Sequence, residues 1–143
     1  SAAIYQYFFS AGQPATIARP ATVQTSSTNQ SAAIKKIQTI IDSHDFNAKF
    51  WTNLSGDVVK VLKDDREGDM HQRFLLKVAP DLTLLVAHNI DIAKRVPVQE
   101  KTRITIQGEY VWNDKGGVLH WTHRDPRGRK QGGWIDYQGQ RYE

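Results

Sequence analysis

Between residues 54 and 123, apolar and polar side chains alternate with a period of two. The stretch "HQRFLLKV" puts Phe74, Leu76 and Val78 on one face and His71, Arg73 and Lys77 on the other. Successive side chains of an extended chain point to opposite faces, so this segment is predicted to be a strand with one buried face. The stretches "LSGDVVKVL", "LTLLVAH", "TRITIQGEYVW" and "VLHWTH" read as strands as well. Polar breaks separate them: "KDDREGDM", "APD" and "NDKGG", the last carrying the Asn and Gly that tolerate the positive φ of a hairpin turn. One connection, "NIDIAKRVPVQEK", is longer and contains Pro97. After a Gly-rich basic loop, "GWIDYQGQRYE" is predicted to form a small hairpin around Gln138 and Gly139.

Five strands whose only long connection joins the third to the fourth predict an all-β fold. The expected architecture is a five-stranded antiparallel Greek-key barrel of the oligonucleotide/oligosaccharide-binding (OB) type. An SH3-like barrel is the nearest alternative; the long third-to-fourth connection favours the OB type, which usually places a helix there. The period changes upstream. In "SAAIKKIQTIIDS", Ile34, Ile37 and Ile41 fall at helical spacing, Ser31 is a suitable N-cap, and Lys35 and Lys36 lie off the stripe. A short amphipathic helix is predicted over 31–43, packed on the barrel. Residues 10–30 are rich in Ser, Thr, Ala, Gln and Pro with no periodic apolar face, which reads as a linker. The expected organisation is therefore an N-terminal segment and linker over 1–30, a helical segment over 31–53, and an OB-like domain over 54–143.

Composition excludes several classes. The 143 residues include no cysteine, so disulfide frameworks and thiolate metal sites are ruled out. No apolar run approaches the ~18–20 residues of a membrane span, and no membrane insertion is expected. A leader removed before Ser1 and a simple boundary fit the N-terminus equally well. The net charge of +4 favours anionic partners only where it clusters.

The strings "HQRFLLKV", "LLVAHNIDIAKRVP", "GEYVWNDKGGVLHWTHRDPRG" and "GGWIDYQGQRYE" together resemble the bacterial domain-of-unknown-function family numbered 3465, over about residues 54–143. The resemblance implies an OB-like fold and, because members generally carry export signals, a periplasmic or secreted home. It implies no assigned activity, so function must be argued from side-chain chemistry.

Charge and aromatic residues concentrate near the C-terminus. Arg124, Arg127, Arg129 and Lys130 lie close together, offset by Asp125, with Gly128, Gly132 and Gly133 among them. Trp112, Trp121 and Trp134 bracket the region. Single-stranded nucleic acid is held by cations along a groove and by aromatic planes that stack bases. The expected binding set is Arg73, Lys77, Trp112, Lys115, Arg124, Arg127, Arg129, Lys130 and Trp134, forming a cleft for single-stranded DNA or RNA with little sequence preference. Trp121 alternates with Leu119 and is predicted to be core. Other polyanions compete as ligands, anionic polysaccharide among them. The catalytic alternative is a nuclease or phosphodiesterase in which His120 or His123 acts as general base with Asp125 or Asp91, and His88 lies nearby. No P-loop, G-x-S-x-G elbow or tight acidic cluster accompanies these residues. His120 and His123, three apart in a strand, point to opposite faces, so their spacing does not demand a shared metal. Neither a metal nor another cofactor is expected.

Overall fold

A computed structural model describes residues 21–143, with side chains from residue 29 onward. The described residues form one helix, α1 (Ala21–Ser43), and seven strands: β1 (Lys49–Val61), β2 (His71–Ala79), β3 (Leu82–Asn89), β4 (Arg103–Val111), β5 (Val118–His120), β6 (Trp134–Tyr137) and β7 (Gln140–Tyr142). The N-terminal segment before residue 10 and the first half of the expected linker lie outside the described residues. The second half does not. Residues 21–30 are helical, and α1 is longer than the predicted 31–43. Ser and Thr lower helix propensity by only fractions of a kcal/mol per residue, and no Gly or Pro interrupts the stretch. A helix already nucleated by packing at 33–41 extends backward at little cost.

The isoleucine stripe does what its spacing requires. Ile37 and Ile40 are buried, Ile34 and Ile41 pack beside them, and Lys35 and Lys36 stay exposed. The helix stops in a Schellman arrangement: His44 turns to φ 53°, His44 N–H donates to Ile41 O (3.2 Å) and Asp45 N–H to Ile40 O (3.2 Å). The Gln30 carboxamide meets the exposed backbone edge of β1, accepting from Ser55 N (3.0 Å) and donating to Ser55 O (2.8 Å).

Strands β1 to β5 close into a barrel in the order β1-β2-β3-β5-β4, with β4 pairing back onto β1. All ladders are antiparallel except β3–β5, which is parallel, so the expected all-antiparallel pairing needs this one amendment. The five-stranded barrel, N-terminal helix and C-terminal hairpin make the fold OB-like. β1 serves two neighbours: Lys49–Asp57 pairs with β4, and Asp57–Val61 pairs with β2 across a bulge at Val58/Lys60. The inward positions Leu54, Val58, Phe74, Leu76, Leu84, Val86, Ile104, Ile106, Tyr110 and Leu119 fill the barrel, and Ile37 of α1 joins them. Tyr110 keeps its hydroxyl satisfied by donating to Gly116 O (2.7 Å), and burial pushes its pKa up to about 12.

The third-to-fourth connection contains no helix. It is held instead by two buried side chains. Gln72 pairs its carboxamide with both the N–H and the C=O of Val96, as a neighbouring strand would. His88 donates from Nε2 to Lys94 O (2.9 Å). The opposite end of the barrel is covered by α1: Gln38 reaches Asp81 in the β2–β3 turn (3.2 Å), and Gly116 of the β4–β5 hairpin lies against Ile41. The barrel thus has two unlike ends. One carries α1, the β2–β3 turn and the β4–β5 hairpin. The other carries the β1–β2 loop, the third-to-fourth connection and the exit of β5.

Candidate nucleic-acid interface

β5 ends sooner than the pattern of "VLHWTH" predicts. After His120 the backbone of Trp121 turns to φ 57°, a left-handed conformation rare for a bulky side chain. The chain leaves the sheet and returns at Gly133, whose N–H donates to His123 O (2.8 Å). It then resumes beside β4 as β6: Glu109–Val111 pair with β5, and Thr105–Gln107 with β6. Residues 121–133 are thus a closed excursion from what would otherwise be one long strand.

The excursion is tied down from inside. Thr122 is buried and its hydroxyl donates to Nδ1 of buried His88 (2.7 Å), whose other nitrogen already donates to Lys94 O. His123 is buried and donates from Nδ1 to Arg124 O (2.7 Å). Gln107 donates to Gly132 O (2.9 Å). At the tip, Asp125 accepts three backbone N–H groups, from Arg127 (3.0 Å), Arg129 (2.9 Å) and Lys130 (2.7 Å). These bonds hold its carboxyl below the usual carboxylate range. With the backbone folded around Asp125, the side chains of Arg127, Arg129 and Lys130 are exposed.

A cleft of about 410 Å³ opens here, lined by Ile92, Trp121, Asp125, Pro126, Arg127, Arg129 and Lys130. Trp121 is therefore not core, contrary to its alternation with Leu119, and is absent from the buried cluster. Its ring lies 5.0 Å from that of His123, and Lys130 Nζ sits 4.8 Å from its centroid. The alternation failed because it assumes that the strand continues, and it stops one residue earlier.

The other expected binding residues divide among four places. Arg124 shares the loop but pairs with Glu143 (2.8 Å). Arg73 and Lys77 lie on the outer face of β2, where Arg73 donates to Lys63 O (3.0 Å). Trp134 lies on β6 under the Arg141 guanidinium (3.9 Å), which Asp136 holds with two hydrogen bonds. Trp112 packs against the core and meets Phe46 edge-on (4.8 Å), and Lys115 belongs to the same β4–β5 hairpin. That hairpin is at the helix-capped end, so Trp112 and Lys115 do not border the cleft beside Arg127.

The five residues of the catalytic alternative are not brought together. His88 has both nitrogens engaged inside the barrel, and Asp125 is spent on backbone amides. Asp91 accepts Met70 N–H (2.9 Å), and His123 is buried on a backbone carbonyl. His120 stands on the outer wall opposite Glu109, its Nε2 3.4 Å from Glu109 Oε1. Burial lowers the His120 pKa, partly opposed by Glu109. No group of three His, Asp or Glu side chains is placed to hold a metal ion among the described residues, and no described helix is long and apolar enough to cross a membrane.

His88 makes stability depend on pH in a definite direction. Burial lowers its pKa, so between that value and the ordinary histidine pKa of about 6.5 only the unfolded chain takes up the proton. The contribution is complete above about pH 6.5 and is lost as pH falls towards the folded value. His120 acts in the same sense. Urea midpoints are expected to fall between pH 7.5 and 5, and a His88→Gln variant to show a flatter decline. An equal decline in that variant assigns the effect to other groups.

A search of curated proteins finds no match. A family model described as "Protein of unknown function (DUF3465)" matches residues 21–143, which includes all of α1 and extends well upstream of the 54–143 resemblance. The chain belongs to the DUF3465 family.

Proposed function

We propose that this protein binds single-stranded nucleic acid, with little sequence preference, at the cleft under the loop of residues 121–133. One observation supports this above the others: Arg127, Arg129 and Lys130 surround an open cleft whose one carboxylate, Asp125, is committed to backbone amides. An anion entering the cleft meets three cations without disrupting an ion pair among them. Arg73 and Lys77, on the outer face of β2, would extend the path for a longer strand. The proposal includes a periplasmic or secreted location, as the family resemblance implies.

The test is fluorescence anisotropy with a labelled oligo-dT strand, its duplex counterpart and heparin, each across a salt series. Tighter binding of the single strand, with log affinity falling linearly in log salt, supports the reading. Equal binding of heparin and duplex, with tryptophan fluorescence unmoved, reduces the cleft to a charge patch. Cleavage of the strand on incubation, abolished by His120→Ala, would restore the catalytic alternative.

A further inference from the structure

We infer that Trp121 is the platform on which one nucleobase stacks, in the place over the ring that Lys130 occupies in the free protein. This rests on the nucleic-acid reading above and names the part of the ligand that the cleft recognises beyond its charge. The sequence pattern had assigned stacking to Trp112 and Trp134, and neither is placed for it. Trp112 is packed against the core with Phe46. Trp134 is covered by Arg141, itself fixed by Asp136.

Three features of Trp121 are unexplained by folding. Its backbone is in the left-handed region, at φ 57°, where a bulky residue is strained. Its indole N–H is buried without a hydrogen-bond partner among the described residues. Its ring lines the cleft instead of joining the core. Trp112 shares the unpaired N–H, but has an ordinary φ and packs against the core. A residue kept in an unfavourable conformation, with an unmet donor, at the wall of a cationic cleft is the pattern of a functional site.

The surroundings suit a planar ligand. Ile92, a half-exposed apolar side chain, lines the same cleft. Lys130 Nζ, 4.8 Å from the ring centroid, makes a cation–π contact from an exposed, flexible side chain. Such a cover can swing aside and meet the phosphate of the nucleotide whose base takes its place. At about 410 Å³ the cleft is within the ~300–1,000 Å³ range of small-ligand sites. With one indole in it, the site stacks one base, and every base has a face to offer, so sequence is not read.

The experiment separates this inference from the reading beneath it. Labelled oligo-dT and a strand of the same length made of abasic nucleotides carry equal phosphate charge. Wild-type protein is expected to bind oligo-dT about 5- to 150-fold more tightly than the abasic strand, the range for one stacked base. Trp121→Leu should bind both at the abasic level, and Trp121→Phe should recover part of the preference. Trp134→Leu should keep it whole. Equal binding of the two strands by wild type overturns the inference and leaves the charge-based reading standing. So does a preference that survives Trp121→Leu. Binding of neither strand overturns both. The wild-type comparison needs no variant, so misfolding of Trp121→Leu would not protect the inference.

Discussion

Replacing Arg127, Arg129 and Lys130 together with alanine is expected to weaken binding of a single strand about 100-fold in 0.1 M salt, and to reduce the salt slope by about 2. The reasoning is counterion release. Each phosphate neutralised on a single strand contributes about 0.7 to the slope of log affinity against log salt, so three lost contacts remove about 2. With the salt-independent part unchanged, that difference amounts to two decades at 0.1 M. The three side chains are exposed and make no ion pair among the described residues, so their removal should leave folding intact. Arg124→Ala is expected to do less, because Arg124 already answers Glu143. Anisotropy titrations across roughly 50 to 400 mM salt would check this. An unchanged slope in the triple variant places the bound anion elsewhere on the barrel.

Gly133→Ala is expected to destabilise the fold by about 3 kcal/mol, the upper end of overpacking in a closely packed site. A Cβ at this position would collide with the carbonyl oxygens of Trp121 and Gln107 and come within 2.9 Å of Thr122 Cα. All three are backbone atoms of the sheet and the loop root, which cannot rotate away as a side-chain end can. Gly133 also makes the hydrogen bond to His123 O that closes the excursion. Relief of the clash therefore means opening the loop, and a folded variant should lose oligonucleotide binding as well. Urea denaturation measures the first effect and anisotropy the second. A variant with wild-type stability and wild-type binding would show that the loop root is looser than this packing describes.

Much of this architecture was legible in the pattern of apolar positions. Phe74, Leu76 and Val78 face inward because a period of two admits no other arrangement once one face is buried. Ile37 and Ile40 face the barrel because α1 has one apolar stripe. The hairpin at Gln138 and Gly139 was legible for a local reason: both residues take positive φ, at 50° and 81°. The basic loop was visible as a cluster, and four of the expected binding residues do share it. Trp112 and Lys115 join that set only if the β4–β5 hairpin and the loop border one cleft. Chain direction forbids this: the hairpin lies at the end of the barrel where β5 begins, the loop where it ends.

What the sequence by itself determined is therefore the set of elements, their inward faces and the concentration of positive charge. These depend on residue identity and short-range spacing, which the chain carries explicitly. Only the tertiary structure decided what each polar group does. Asp125 looks like a catalytic carboxylate until three amides of its own loop are found on it. His88 looks like part of a catalytic cluster until Lys94, in the following connection, and the far more distant Thr122 occupy its two nitrogens. Trp121 looks like core until its backbone turns to positive φ and sets the indole in the cleft. The first outcome depends on how the loop folds on itself, the second on a contact between residues far apart in sequence, and the third on a single backbone torsion; alternation encodes none of them.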